Sequence, residues 1–306
     1  MSVLKLPPYA SPLEKAWRVT YLVICAAILL FLIAPILIVI PLSFNAEPYF
    51  TFTRKMLSFD PAGYSMRWYD QILTFGMAAP GAPRNASWWL DVWENAKWVE
   101  AAQNSVIIGV SATLLATVLG TTAALGLSRP DMPFRRAIMG LLISPMIVPL
   151  IITATGLFFF YSETGLAHTY LGIIMAHATL GIPFVIITVT ATLVGFDHSL
   201  TRAAANLGAP PPLIFFKVIL PLILPGVISG ALFAFVTSFD EVVVVLFVAG
   251  YDQQTLPRQM WNGIREQISP TILAVATILV IFSVALLATV ELLRRRSERL
   301  RGLSPG

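Results

Sequence analysis

The sequence predicts an all-α integral membrane protein with six transmembrane helices and both termini in the cytoplasm. Three observations predict this class. Only 12% of the 306 residues are charged and 57% are apolar, against about 25% and 45–50% in a soluble domain. Six apolar windows each reach the roughly 20 residues that a helix needs to cross about 30 Å of hydrocarbon. The Lys and Arg residues gather on one side of those windows, the positive-inside pattern. Too few charged side chains remain to cover a water-facing surface, which argues against a soluble enzyme. Cys25 is the single cysteine and cannot pair within the chain. The apolar runs are unbroken rather than alternating, which disfavours a spanning β-barrel.

Taken in order, residues 1–18 form a cytoplasmic N-terminal segment carrying Lys5, Lys15 and Arg18. The first span, 19–42, contains no Asp, Glu, Lys or Arg. It is longer than the apolar core of a removable signal and no A-x-A-like site follows it, so it is read as a retained helix. Trp17 and Tyr21 sit where interfacial anchors belong. Residues 43–104 form a long periplasmic loop rich in aromatics: Trp68, Tyr69, Trp88, Trp89, Trp93 and Trp98. Within it, Ser87–Ala102 places Trp89, Val92, Trp93, Ala96 and Val99 at helical spacing. This stretch reads as an amphipathic interfacial helix, as a platform for an extracytoplasmic partner, or as both.

Residues 105–293 hold five further spans: Ser105–Leu127, Ala137–Tyr161, Tyr170–Val194, Ile219–Ala249 and Thr271–Leu293. The second and third spans are free of charge. The fourth has only His177 as a titratable group, read as a hydrogen-bonded bundle residue rather than a ligand. The fifth contains Asp240 and Glu241, and the sixth is charge-free until Glu291. With this topology thirteen Lys and Arg residues lie inside and seven outside, five of the seven in the one long loop. The tail 294–306 is basic, which suits contact with anionic lipid and gives no ground for nucleic-acid binding.

The cytoplasmic segment between spans four and five is the most informative. Asp197 or Ser199 can cap a short helix ending near Leu207, and Gly208 can end it in a left-handed conformation. Pro210, Pro211 and Pro212 stop that helix but are tolerated in the first turn of a second one, which carries Phe215, Phe216 and Lys217. The hairpin 198–218 holds small and apolar residues out into the cytoplasm (Ala203, Ala204, Ala205, Leu207, Phe215), and such a surface marks an interaction site.

Chemistry of other kinds is absent from the sequence. No G-x-x-x-x-G-K-[ST] loop exists, because none of the five lysines follows a glycine. His168, His177 and His198 have no partners at metal-ligand spacing, and no nucleophile–base set can be assembled. Nothing in the sequence argues for catalytic residues, a metal or a cofactor held by this chain. Asp240 and Glu241, inside Ser238-Phe239-Asp240-Glu241-Val242, are costly near the bilayer centre unless they meet water or a partner. With Thr237 and Ser238 beside them, they read either as a cation-attracting translocation path or as groups that pack against a neighbouring subunit.

Residues 202–226, RAAANLGAPPPLIFFKVILPLILPG, resemble the cytoplasmic loop of binding-protein-dependent ABC importer permeases, E-A-A, three residues, Gly, nine residues, I-x-L-P. Ala203, Ala204, Gly208, Leu220 and Pro221 match in register, with Val218 at the Ile position and Arg202 where the family has Glu. NSVIIGVSATLLATVLGTTAALGLSR, PMIVPLIITATGLFFFY, SFDEVVVVLFVAG and TLPRQMW are similar to the spermidine/putrescine-type subfamily. The resemblance implies a type I ABC importer permease fold in the bacterial inner membrane. It also implies a second permease subunit, identical or homologous, two cytoplasmic ATPases that bind ATP and Mg, and a periplasmic binding protein. The hairpin would then dock on an ATPase through Arg202, Ala203, Ala204, Gly208, Phe215, Phe216, Leu220 and Pro221. The expected solute is a cationic polyamine such as spermidine or putrescine, with an opine, aminobutyrate-like or other amino-acid-like solute as the alternative. A self-contained ion-coupled carrier is the rival class, and it leaves the hairpin without a purpose.

Overall fold

The computed structural model describes residues 11–129, 131–266 and 269–300. Residues 1–10 of the N-terminal segment and 301–306 of the basic tail lie outside them. In chain order the helices are α1 (Pro12–Leu42), α2 (Arg54–Leu57), α3 (Arg67–Thr74), α4 (Ala86–Asn95), α5 (Lys97–Leu127), α6 (Arg135–Ile147), α7 (Leu150–Thr164), α8 (Tyr170–Val194), α9 (Ser199–Asn206), α10 (Pro211–Ile214), α11 (Leu220–Phe239), α12 (Val243–Val248), α13 (Leu256–Glu266) and α14 (Thr271–Leu300). Among the described residues, α1, α5, α8 and the stretch Pro211–Phe239 are long and apolar enough to cross a membrane, and the bent pair α6–α7 makes a fifth if counted as one span. The sixth apolar window falls in α14, which is apolar over Thr271–Ala285.

The chain divides into two units, Met1–Leu73 with Gln267–Gly306, and Thr74–Glu266. In the first, α1 packs against α14. A capping box opens α1: the Glu14 N–H donates to Ser11 Oγ at 3.2 Å and the Ser11 N–H donates to Glu14 Oε2 at 2.8 Å. This satisfies two of the donors that a helix start leaves free. The loop after α1 is tied by Asn45, whose side-chain amide donates to Tyr49 O and Thr51 O at 2.9 and 3.0 Å. Trp68 Nε1 donates to Asn45 O at 2.7 Å.

The second unit is built on α5, α8 and α11, whose contact faces carry small residues every fourth position. On α11 these are Gly226, Gly230, Ala234 and Ser238, and on α5 they are Ala112, Ala116, Gly120 and Ala124. Between membrane helices apolar burial drives little, so close backbone approach decides which faces meet. A Cβ added at Gly181 of α8 would lie 2.9 Å from Ala234 Cβ and 3.2 Å from Ala116 Cβ. One added at Gly230 would lie 2.8 Å from Val185 Cα, and one at Gly120 would lie 2.6 Å from Val185 Cβ. Thr188 and Thr192 of α8, which face Gly230 and Gly226, turn their hydroxyls onto Phe184 O and Thr188 O at 2.9 Å each. Their polar atoms are thereby satisfied within their own helix.

Two apolar windows prove to be broken. The third, expected as one span over 137–161, is the pair α6–α7 with a bend of 100°. Pro149 supplies the physical reason: it lacks an N–H, and it restricts the preceding residue to extended backbone. Val148 accordingly has φ −68° and ψ 136°. The fifth window, expected as one helix over 219–249, leaves helical geometry after Phe239 and resumes at Val243. The Glu241 side chain supplies the physical reason: it accepts the N–H groups of Val243, Val244 and Val245 and so starts a new helix there. The aromatic stretch 87–102 also splits. Ala96, with ψ 113°, separates α4 from α5, and on α4 Trp88 and Val92 are buried while Trp89 and Trp93 face outward.

Candidate functional site

The break between α11 and α12 separates two adjacent carboxylates that the apolar window places on one helix. Asp240 ends α11, donating its N–H to Val236 O at 3.1 Å, and is exposed. Glu241 is only 5% exposed. Its Oε1 accepts from the Val243 N–H at 2.7 Å and the Val244 N–H at 3.0 Å. Its Oε2 accepts from Val244 at 2.9 Å and Val245 at 3.2 Å. Those are the donors that the first turn of α12 leaves without intrahelical partners.

Ser238 is the last member of the small-residue face of α11. It is buried and shares a 2.8 Å hydrogen bond with His177 Nδ1 of α8. His177 Nε2 points at Glu241 Oε2 from 3.7 Å. The structure therefore brings Ser238, Glu241 and His177 together, leaves Thr237 half-buried outside that cluster, and turns Asp240 alone to the surface. The two acids therefore do not lie on the one continuous helix expected of the fifth window.

Near the N-terminal ends of α5 and α8, Asn104 Nδ2 donates to Asp252 O and Gln254 O at 2.9 and 3.0 Å. Tyr170 OH donates to Asn104 Oδ1 at 2.7 Å, and Ser105 Oγ accepts the Leu256 N–H at 2.8 Å. Arg258, in the first turn of α13, donates through Nη1 to Ala249 O and Gly250 O at 3.0 Å each and to Val245 O at 3.3 Å. Sequence reasoning assigned no site role to Asn104, Tyr170 or Arg258. The available signal was a set of polar residues at the mouths of otherwise apolar helices, and it does not say which backbone groups they meet.

The hairpin is set by backbone chemistry. Asp197 accepts the Ser199 N–H on Oδ1 at 2.8 Å and the Ser199 hydroxyl on Oδ2 at 2.7 Å. These bonds, the hydroxyl first, hold its carboxyl below the ordinary aspartate value. α9 ends in a Schellman motif: the Ala209 N–H donates to Ala204 O at 3.1 Å and the Gly208 N–H to Ala205 O at 2.9 Å, with Gly208 at φ +83°. Then α10 begins at the prolines and continues through one π-helical stretch, Phe215–Ile219, into α11. Arg202, Ala203, Phe216 and Pro221 are exposed, and Ala204, Phe215 and Leu220 are half-buried. Leu207 is 89% exposed and Phe216 62%, so the hairpin holds apolar side chains outward.

Spanning helices, a carboxylate exposed at a break among them, and an apolar hairpin between two spans are the architecture of a multi-pass membrane protein. Residues 116–300 match the family described as "Binding-protein-dependent transport system inner membrane component", and the chain belongs to that family. It is thus a permease-type subunit of the inner membrane. It is 31% identical over 268 residues to the "Spermidine/putrescine transport system permease protein PotC" of Haemophilus influenzae, covering 88% of this chain and 93% of that one. It is 30% identical over 308 residues to the "Putrescine transport system permease protein PotI" of Escherichia coli K12, covering 97% of each. Its fold matches a chain from the crystal structure of a bacterial ABC transporter involved in the import of the acidic polysaccharide alginate. That match has a TM-score of 0.68, 15% identity and coverage of 93% of this chain and 99% of that one.

Proposed function

We propose that this permease subunit lines the path of an ATP-driven importer for a small polycation, a polyamine of the putrescine or spermidine class. The observation that carries the substrate reading is Asp240, an exposed carboxylate at the break of a membrane helix. An acid in that position is costly unless it meets water, a partner or a cation. The relatives named for spermidine and putrescine transport support the same class. A periplasmic binding protein delivers the solute, a second permease subunit completes the path, and two cytoplasmic ATPases holding ATP and Mg drive it. Hairpin residues Arg202, Ala203, Gly208, Phe216 and Pro221 give one ATPase its docking surface, with Ala204, Phe215 and Leu220 supporting them from below. Arg202 then calls for an acidic or neutral group on that ATPase. Nucleotide-driven closure of the ATPases moves the hairpin and switches the path between outward and inward states, a remote bias on a two-state element.

The test is uptake of labelled putrescine and spermidine by cells lacking this gene and other polyamine importers, with and without the wild-type gene restored. Restoration of saturable uptake of either amine is the expected result. Equal uptake in the two strains overturns the polyamine assignment and moves the search to opines and aminobutyrate-like solutes.

A further inference from the structure

Helix α12 spans only Val243–Val248, yet Val244, Val245 and Val248 are among the most completely buried side chains of the unit. So short a helix leaves most of its backbone donors and acceptors without intrahelical partners. Charged side chains from outside the helix meet both ends. Glu241, from the break after α11, accepts three backbone N–H groups at the N-terminus. Arg258, from α13, donates to three carbonyls at and just beyond the C-terminus. The signs complement the helix dipole at both ends. Both oxygens of Glu241 and Nη1 of Arg258 are already engaged with this backbone.

We propose that Glu241 and Arg258 are positioning residues for transport. They clamp α12 between them, with His177 and Ser238 backing Glu241, and so fix the break that presents Asp240. The two neighbouring acids divide their work: Asp240 meets the cation and Glu241 holds the backbone that places it. The part concerning Asp240 rests on the cation reading given under Proposed function; the clamp does not.

The experiment uses the whole importer, with its partner subunits co-expressed, and two readouts. The first is KM and Vmax for labelled putrescine in cells, with the amount of protein in the membrane measured. The second is hydrogen exchange at the amides of 243–249 in the purified complex, which needs no substrate. E241A and R258M are expected to lower Vmax about tenfold with KM within about twofold, since each frees several buried backbone groups. R258K retains most of the rate because an ammonium can still donate to those carbonyls. Amides of Val243–Val245 exchange about tenfold faster in E241A than in wild type and are unchanged in D240N. Where E241A fails to reach the membrane, E241Q, which keeps one accepting oxygen, gives the same pattern in smaller measure. A raised KM with Vmax preserved in E241A or E241Q would make Glu241 a substrate contact and overturn the proposal. Unchanged exchange in both E241A and R258M would also overturn it. An unchanged KM in D240N overturns the cation reading instead, and the exchange result still decides the clamp.

Discussion

Gly208→Val is expected to abolish most transport while leaving the chain in the membrane. Gly208 sits at φ +83°, where a left-handed backbone costs an L-residue about 1–2 kcal/mol and a β-branched one more. A Cβ at Gly208 meets no atom within 4 Å, so the cost is entirely one of backbone conformation. Strain of that size shifts the hairpin population about 5–30-fold away from its Schellman turn. That turn sets the angle between α9 and α10, the surface proposed to dock on the ATPase. A graded series follows from the same argument. Asn, which tolerates the left-handed region, keeps most activity; Ala loses an intermediate share; Val loses most. Uptake rates normalised to membrane protein check this, and equal rates in all three variants would contradict the coupling role.

The second large effect is expected from Asp240→Asn. The substitution keeps size and hydrogen-bonding reach but removes the charge at the surface of the break. At about 4 Å two unit charges interact by about 4 kcal/mol at an effective dielectric of 20 and by about 1 kcal/mol in water. Asp240 is exposed, so the lower end applies, and the KM for a polyamine rises by at least about fivefold with little change in Vmax. A neutral solute carried by the same path would show no such rise. Kinetics of putrescine uptake by D240N, set against Glu substituted at the same position, separate charge from shape.

Much of this architecture was legible in the residues, and the reasons differ by element. The apolar windows mark the long helices because a membrane span has no other way to satisfy its backbone. The hairpin was legible in its caps and turn: Asp197 with Ser199, Gly208, and the three prolines each dictate local backbone independently of packing. The breaks were not read. Pro149 is the signal for the break in the third window, but hydropathy averages across it, and the break after Phe239 has no Pro or Gly to mark it. His177 and Ser238 lie 61 positions apart in sequence. Their hydrogen bond depends on the fourfold repeat of Gly226, Gly230 and Ala234 bringing α11 against α8, a register that no single-span reading contains. Which of Asp240 and Glu241 turns inward was not legible, because adjacency in sequence says nothing about the direction a break takes.

The measurement that bears most directly on the central claim is solute uptake by proteoliposomes holding this chain with its partner permease, ATPase and binding protein. Putrescine or spermidine accumulation is expected to require ATP on the ATPase side and this subunit in the complex, with an anionic solute of similar size left outside. Accumulation that proceeds without ATP and follows an imposed ion gradient would contradict it.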